Sequence, residues 1–458
     1  MPGVGVVADD LTGATTVGAL LARRGVETTV LFERDAVCEH RPGENSALIV
    51  STDSRAMPPE VAFARVRRAT QALWDAGVRQ FAKRIDTTCR GGIGPEVEGM
   101  LSALPEDHVA VIVPAMPQSK RIVVDGYSII DSTLLARTGV ARDVRTPVVE
   151  SHLPTLLSGQ FTLALAHVPL AVLLQGPQAL RSRLLELRAE GVRVVLLDAT
   201  SMEDVDLIAR TVVELGLATV CVDPGPFTER VAVHSGAVAG GAVPGRTIRT
   251  EPRHDDSGTV LVVAGSASDL THVQVQALRE VGGTQAVGVR VMELLGPAEV
   301  FQAEVERVLG QVWHLTAGGS PPRVLVLAFD SVLAGAAPDI EHTQKVTGLT
   351  SGQISALLTG RLGVVARTVA DEIRDSCAGF YLTGGDVMVS TCGSLGARGI
   401  TLVDFVAPQI DQGVLVSGPY SGLPVVCKGG LTGTEMTAVQ SVNRIFDERS
   451  RRREAVVV

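Results

Sequence analysis

The chain has 458 residues, of which 45% are hydrophobic and 20% charged, and its formal net charge is −9 at pH 7. This length exceeds what one ordinary hydrophobic core holds, and the composition is typical of globular proteins, so we expect two domains. The negative charge argues against nucleic acid as a partner, because binding to a phosphate backbone requires a basic face.

The six cysteines are scattered without a Cys-x-x-Cys pair, a pattern that indicates neither a disulfide framework nor a zinc site. The first ten residues lack the charged and apolar regions of a signal peptide. The most apolar stretch, residues 163–174, is too short to span a bilayer. We therefore expect a cytoplasmic protein that does not have a membrane as a partner.

The first half of the chain alternates short apolar runs with amphipathic stretches. Strands are predicted at residues 3–8, 28–32, 47–51, 81–85 and 109–113. Helices are predicted from residue 11 to a closing Gly25, after Pro58 and Pro59 through residue 73, and at residues 95–104. This alternation predicts a mostly parallel sheet flanked by helices.

Residues 235–258 interrupt this pattern with small residues, glycine, proline and mixed charge, which is typical of a linker. A second α/β pattern follows, with strands predicted at residues 259–264, 324–329 and 379–383. We predict an N-terminal domain at 1–234, a linker at 235–258 and a C-terminal domain at 259–458. Each domain is expected to be a mostly parallel sheet flanked by helices, with the active site in the cleft between the domains.

Polar residues cluster where four predicted strands of the first half end. Since the carboxyl ends of parallel strands meet at one edge of a sheet, and ligands bind there, we expect these clusters to form one site. In chain order the candidates are Asp9, Asp10, Asp53, Arg55, Lys83, Asp86, Arg90 and Arg121.

The residue types in these clusters suit a small hydroxylated acid. Arginine offers a carboxylate two hydrogen bonds, and an aspartate accepts from a hydroxyl or takes its proton as a general base. Structural roles are open as alternatives. Asp10 precedes a helix and could be its N-cap, and Lys83 and Asp86 could form a structural pair at a strand end.

Glycine-rich segments follow strands in the second half, at residues 265–268, 383–386 and 428–433. Small residues in such turns let backbone N–H groups approach phosphates, although tight loops have the same composition. The chain has no Gly-x-x-x-x-Gly-Lys-[Ser/Thr] motif and is not a P-loop protein. No Gly-x-Gly-x-x-Gly opens the first helix, which disfavours a dinucleotide-dependent dehydrogenase.

At these motifs the sequence resembles the four-carbon acid sugar kinases over nearly its whole length. The resemblance rests on Asp-Asp-Leu-Thr-Gly-Ala at 9–14, Pro-Ala-Met-Pro at 114–117 with Arg121, Gly-Ser-x-Ser at 265–268, Gly-Gly-Asp at 384–386 and Lys-x-Gly at 428–430. The family segment Lys-x-Asp-Ser-Thr-x-Arg-Gly is represented by residues 83–91, with one extra residue if the family lysine corresponds to Lys83.

The resemblance implies an N-terminal domain that binds a sugar acid and a C-terminal domain that binds ATP. It implies phosphorylation of the terminal, C4 hydroxyl of an acid such as threonate, erythronate or 3-oxo-tetronate. The partners are then the small sugar acid and ATP, and a homodimer is left open.

The resemblance also assigns roles to residues. Asp9 or Asp10 receives the hydroxyl proton, and Lys83, Arg90 and Arg121 bind the carboxylate. Mg²⁺ is held largely by ATP, and no protein ligand of the metal is assigned. The residues assigned to the nucleotide are Ser266, Ser268, Gly384, Gly385, Asp386, Lys428 and Gly430.

Several positions depart from the family pattern. Val387 follows Gly-Gly-Asp where members usually have Thr or Ser, and Leu431-Thr432 replaces a common Asn-Phe. These departures favour an alternative function, a catalytically weak or silent sugar-acid-binding regulatory protein of the same fold. The intact Asp9, Asp10, Lys83 and Lys428 favour the kinase.

Overall fold

The computed structural model describes residues 3–32, 36–37, 46–143, 145–238, 251, 257–266, 268–317, 321–336 and 339–457. The chain divides into two compact units, Met1–Pro244 and Gly245–Val458. Most of the predicted linker at 235–258 lies outside the described residues.

The first unit is built on a parallel sheet. Its strands in chain order are β1 (Val4–Ala8), β2 (Glu27–Leu31), β3 (Ser46–Ser51), β4 (Gln80–Arg84), β5 (Val109–Ile112), β6 (Arg121–Val124), β7 (Tyr127–Ile130), β8 (Thr133–Leu134), β9 (Leu165–Val168), β10 (Val194–Leu197) and β11 (Thr219–Asp223). The described parallel strands have the order β2-β3-β1-β4-β11-β5-β10-β9, and β6, β7 and β8 form a small antiparallel sheet.

Helices flank this parallel sheet. They are α1 (Leu11–Ala22), α2 (Pro59–Asp75), α3 (Ile93–Leu101), α4 (Leu153–Ser158), α5 (Leu170–Leu173), α6 (Pro177–Ala189), α7 (Met202–Glu214) and α8 (Pro226–His234). Strands β1 and β3 are buried along their whole length, as expected of strands covered by helices on both faces. The core they enter includes Val7, Val50, Phe81 and Ile112.

The second unit contains a sheet of seven described strands. They are β12 (Thr259–Ala264), β13 (Thr284–Val289), β14 (Val324–Phe329), β15 (Cys377–Thr383), β16 (Gly399–Ala407), β17 (Ile410–Val416) and β18 (Pro424–Lys428). In the order β13-β14-β12-β15-β18-β17-β16 the first five are parallel, and β17 is antiparallel to both of its neighbours.

The helices of the second unit are α9 (Asp269–Arg279), α10 (Val291–Leu295), α11 (Ala298–Thr316), α12 (Asp330–Ala334), α13 (Ile340–Thr347), α14 (Ser351–Glu372), α15 (Gly385–Ser394) and α16 (Thr437–Val457). Within the described ranges, no helix has both the length and the apolar composition needed to cross a membrane. The structure confirms the predicted class, α/β with mostly parallel sheets flanked by helices.

Candidate active site

The predicted polar clusters of the first unit meet because β3, β1 and β4 are adjacent parallel strands. Asp9 and Asp10 follow β1, Arg55 lies in the loop after β3, and Arg84 ends β4. Their side chains form a network of ion pairs at the carboxyl edge of the sheet, as the topology predicts.

Asp9 lies at the centre of this network and is 2% exposed. Its Oδ2 accepts from Arg55 Nε at 2.7 Å, and its Oδ1 lies 3.3 Å from Arg84 Nη1. Burial opposes ionisation of Asp9, but the positive charges of Arg55, Lys83 and Arg84 outweigh it and lower the pKa to about 2. Asp9 is therefore a carboxylate throughout the physiological pH range.

Asp10 caps α1, the structural role that its sequence position left open, and also belongs to the ion-pair network. Its Oδ1 accepts the backbone N–H of Gly13 at 2.8 Å, which caps α1, and lies 3.1 Å from Arg84 Nη1. Its Oδ2 lies 2.7 Å from Arg55 Nη1. The side chain keeps 25% exposure, against 3% for that of Asp9, so Asp10 is the more accessible of the two carboxylates.

Lys83 is fully buried, which differs from the ligand contact that the sequence predicted for it. Its Nζ lies 2.8 Å from Glu96 Oε2 and donates to the carbonyl of Arg84 at 2.8 Å. Glu96, on α3, also accepts from Ser54 Oγ at 2.6 Å. Burial raises the pKa of Glu96, although Lys83 opposes this effect. The pair joins α3 to the ends of β3 and β4.

Asp86 and Arg90 form a second part of the network. Asp86 Oδ2 accepts from Arg90 Nε at 2.8 Å, and Arg90 Nη1 donates to Asp143 Oδ2 at 3.0 Å. Burial opposes ionisation of Asp86, but Arg55 and Arg90 hold its pKa well below the usual range. Gly91, at φ +91°, lets the chain pass close to Arg55, since a Cβ there would lie 2.9 Å from the carbonyl oxygen of Arg55.

Arg121 differs from the other cations of this edge. Its Nη1 donates to the carbonyl of Ser119 at 2.7 Å, and its buried Nε has no hydrogen-bond partner among the described atoms. Burial lowers its pKa, opposed only by the charge of Asp86. No described carboxylate forms an ion pair with it, so Arg121 is the cation best placed to receive an anionic ligand.

Asp53 lies in the loop after β3 with an exposed side chain and a left-handed backbone, φ +46°. Its carbonyl accepts from Arg65 Nη1 at 2.9 Å. This bond holds the loop against α2.

The three glycine-rich segments of the second unit follow β12, β15 and β18, which are neighbouring parallel strands. Gly384 donates its N–H to the carbonyl of Lys428 at 2.9 Å, and Ser268 Oγ donates to the carbonyl of Gly430 at 2.7 Å. A Cβ on Gly430 would lie 2.2 Å from Ser266 Oγ, so a side chain there would displace the hydroxyl of Ser266. The predicted phosphate-binding segments are thus brought together.

Lys428 lies at the base of this cradle with 1% exposure. Its Nζ donates to the carbonyls of Gly429, Gly430 and Thr432 at 2.8, 3.3 and 3.2 Å. Burial lowers its pKa from 10.5 to about 8, and no described carboxylate pairs with it. A buried ammonium without a counterion favours an anion beside it.

The first turn of α15 supports the same chemistry. Its N-cap, Gly384, has φ +109° and makes no side-chain cap hydrogen bond, so the first N–H groups lack the usual capping partner. Asp386 is exposed in this turn. Val387, which replaces the family hydroxyl residue, is 2% exposed and packs toward Gly265 and Gly384.

Three contributors to these sites were missed as site residues from the sequence: Arg84, Glu96 and Gln274. Arg84 gave a usable signal, because Arg84-Ile85-Asp86 keeps the family Lys-x-Asp spacing without an extra residue. Glu96 gave none, since its role depends on how α3 packs. Gln274 Nε2 donates to the carbonyl of Thr434 at 2.8 Å and ties α9 to the segment after β18.

Comparisons with known proteins find a separate family model for each half of the chain. Residues 4–231 match the model of a sugar-binding N-terminal domain, and residues 261–438 match that of a nucleotide-binding C-terminal domain. A D-erythronate kinase of Heliobacterium modesticaldum is 34% identical over 98% of this chain and 98% of its own length. This chain belongs to the four-carbon acid sugar kinase family. The family predicted from the motifs is confirmed.

Other relatives carry related names. A D-threonate kinase of Bordetella bronchiseptica is 30% identical over 98% of each chain, and a 3-oxo-tetronate kinase of Brucella melitensis is 26% identical over 94% of this chain and 93% of its own. A crystal structure from Salmonella typhimurium, described as a putative tRNA synthase, covers 99% of this chain and 100% of its own with a TM-score of 0.74 and 24% identity. At that identity the structural match supports the fold alone.

Proposed function

We propose that this protein is an ATP-dependent kinase that phosphorylates the terminal hydroxyl of a four-carbon sugar acid. The observation that carries the proposal is the match over both domains to relatives named as kinases of D-erythronate, D-threonate and 3-oxo-tetronate. The site geometry supports it independently, with a cluster suited to a hydroxylated acid in one unit and a phosphate cradle in the other. The cleft location of the active site, the cytoplasmic location and a homodimer stay predictions.

On the acceptor side, Arg121 is proposed to bind the substrate carboxylate. Lys83 is fully buried and Arg90 is already engaged by two carboxylates, so neither has the free donors that Arg121 has. Asp53, Arg55, Asp86 and Arg90 are proposed to shape the surrounding site and to hydrogen-bond the hydroxyl groups. Lys83 is proposed to act indirectly, by fixing the backbone of Arg84.

Asp10 is proposed to accept the proton of the attacking hydroxyl. It is the more exposed carboxylate of the pair, and Arg55 and Arg84 fix its orientation. Asp9, with a pKa near 2, is a weak base and contributes a fixed negative charge instead. Positioning and charge neutralisation supply most of the catalysis in phosphoryl transfer, and a base held beside the attacking hydroxyl takes up its proton.

On the donor side, the charge of Lys428 and the N–H groups of Gly385 and Gly430 are proposed to bind the phosphates of ATP. Gly384, whose N–H is bonded to the carbonyl of Lys428, is proposed to lie beside them with Ser266 and Ser268. Among the described residues, no group of three His, Cys, Asp or Glu side chains could hold a metal ion. A single carboxylate beside bound phosphates suits Mg²⁺, which binds proteins through one or two carboxylates and otherwise through phosphates and water. Asp386 is the carboxylate in the first turn of α15 that would hold it, and the bound ion would neutralise charge on the phosphates.

The test is to incubate purified protein with Mg-ATP and a panel of D-erythronate, D-threonate, their L-isomers and 3-oxo-tetronate, and to follow ADP. We expect acid-dependent ADP with at least one of them. Folded protein that binds an acid by calorimetry but forms no ADP across the panel would support the regulatory alternative, which Val387 favours. Glycerate serves as a control for the length of the acid.

A further inference from the structure

We propose that Arg84 is a positioning residue for phosphoryl transfer, and that position 13 is glycine because the guanidinium of Arg84 occupies the space of a side chain there. The inference rests on the proposed function, since it concerns how Asp9 and Asp10 are oriented toward the acceptor. Arg84 is 5% exposed and is assigned no contact with substrate. It acts through the two carboxylates.

The two aspartates are held in the same way, one oxygen by each of two arginines. Arg84 Nη1 lies 3.3 Å from Asp9 Oδ1 and 3.1 Å from Asp10 Oδ1. Arg55 contacts the other oxygens, with Nε 2.7 Å from Asp9 Oδ2 and Nη1 2.7 Å from Asp10 Oδ2. Because each carboxylate is fixed at both oxygens, neither rotates freely about its last torsion. Loss of either arginine would remove one of these contacts from each carboxylate, although the N–H of Gly13 would still hold Asp10 Oδ1.

Gly13 provides the space that this arrangement needs. A Cβ at position 13 would lie 2.0 Å from Arg84 Nη1, 2.1 Å from its Cζ and 2.4 Å from its Nε, distances far below any non-bonded contact. Gly13 lies inside α1, where the backbone does not require glycine and alanine is the better helix former. The reason for glycine is therefore the passage of the guanidinium across α1.

The backbone of Arg84 is itself fixed by a buried ion pair. Lys83 Nζ donates to the carbonyl of Arg84 at 2.8 Å while it pairs with Glu96. Glu96 accepts from Ser54, whose N–H donates to the carbonyl of Asp9 at 3.0 Å. This series of buried contacts fixes the ends of β1, β3 and β4 relative to one another. The backbone from which the Arg84 side chain extends is therefore rigid.

The family motif is consistent with this assignment. Arg84-Ile85-Asp86 has the spacing of the family's Lys-x-Asp segment with arginine at its first position, and Lys83 lies one residue before it. A lysine at position 84 keeps the positive charge, although it offers no planar fork to two carboxylates. Arg84→Lys is thus the conservative variant of choice.

The experiment is a double-mutant cycle between positions 13 and 84, with steady-state kinetics on the best acid of the panel. We expect Arg84→Gln to lower kcat roughly 100-fold, as for a misplaced reacting group, with the KM for ATP unchanged. Arg84→Lys should restore part of kcat. Gly13→Ala should lower kcat by a similar factor, and the double variant should be no worse than Arg84→Gln alone, because both changes remove the same contact.

The controls are Arg79→Gln, an exposed arginine just before β4, and Gly310→Ala, a helical glycine in α11 with open space around it; both should keep the wild-type kcat. Urea unfolding of every variant separates lost structure from lost positioning. If the wild type is active, an unchanged kcat in Arg84→Gln would overturn the inference and leave the proposed function standing. The same holds if the effects of the two changes on kcat simply multiply in the double variant. Wild type without activity on any acid would overturn both.

Discussion

The two candidate ligand sites lie at the same kind of place, the carboxyl ends of adjacent parallel strands, but they use different chemistry. The site of the first unit is dense in charge, with Asp9, Asp10, Asp86, Arg55 and Arg84 joined by ion pairs. The site of the second unit consists largely of backbone and hydroxyl groups around Lys428. The difference follows from the ligands proposed, since a small acid must be oriented by directed side chains, whereas backbone N–H groups suffice to cradle phosphates.

The two sites also share a feature. Over the residues that the structure describes, each cluster has a cation that forms no ion pair with a carboxylate, Arg121 in the first unit and Lys428 in the second. In the first site the remaining charges pair with one another and fix the geometry. The comparison therefore predicts that loss of Arg121 weakens binding of the acid and that loss of Lys428 weakens binding of ATP. Loss of a paired charge should instead lower the rate of the reaction.

The largest effect is expected from Asp10→Asn. Asparagine is as good an N-cap as aspartate, so α1 should keep its cap while the acceptor loses its base. We expect kcat to fall about 10²- to 10⁴-fold, the usual contribution of a general base, with ATP binding unchanged by calorimetry. An unchanged kcat would restrict Asp10 to its capping role.

Lys428→Met tests the charge of the second site. Loss of the ammonium should raise the KM for ATP roughly 10- to 100-fold, because the phosphates lose a buried positive charge beside them, and leave the KM for the acid unchanged. Lys345→Met, at an exposed lysine on α13, is the matched control. An equal rise in both KM values would contradict the separation of the two sites.

The same lysine predicts a pH dependence. Its pKa in the folded protein is about 8, below the ordinary 10.5, so the ammonium is present below pH 8 and is lost above it. We expect kcat/KM for ATP to fall about tenfold per pH unit on this alkaline limb, measured between roughly pH 6 and 10. Lys428→Arg, which keeps its charge throughout, should flatten the limb. A limb that persists in this variant would belong to another group.

Arg121→Gln tests the charge of the first site. We expect the KM for the acid to rise by roughly tenfold or somewhat more, with the KM for ATP unchanged, because an arginine–carboxylate contact is lost from a partly buried site. Lys120→Gln is the control, since Lys120 is adjacent but exposed and paired with Asp131. A larger rise in the KM for the acid in Lys120→Gln would show that Arg121 is not the main contact of the substrate carboxylate.

The smallest effect is expected from Val387→Thr. A hydroxyl in the first turn of α15 would add one hydrogen-bond donor beside the cradle, so the KM for ATP should fall by a factor of roughly two to ten. Val389→Thr, at a partly exposed position of the same helix, should leave it unchanged. No change at position 387 would show that the departure from the family pattern there does not concern the nucleotide.

The order of elements was predictable because local patterns carry it. The predicted strands at 47–51 and 259–264 correspond to Ser46–Ser51 and Thr259–Ala264, since buried parallel strands are short, continuous apolar runs. The helix predicted at 95–104 is Ile93–Leu101, an earlier element, because Gly92 rather than Pro95 marks its beginning. Strands β9, β10 and β11 of the first sheet were not predicted, although β10 and β11 are interior strands of that sheet.

The sequence by itself determined the fold class, the family, and the edge of each sheet at which polar residues gather, because periodicity and motif spacing are local properties. It did not determine which charged side chains form ion pairs with each other. Lys83 and Arg84 are neighbours with equal charge, yet Lys83 pairs with Glu96 and Arg84 reaches Asp9 and Asp10. Successive residues of a strand point to opposite faces, so only the packing of α1 and α3 on β4 decides which of the two faces the site.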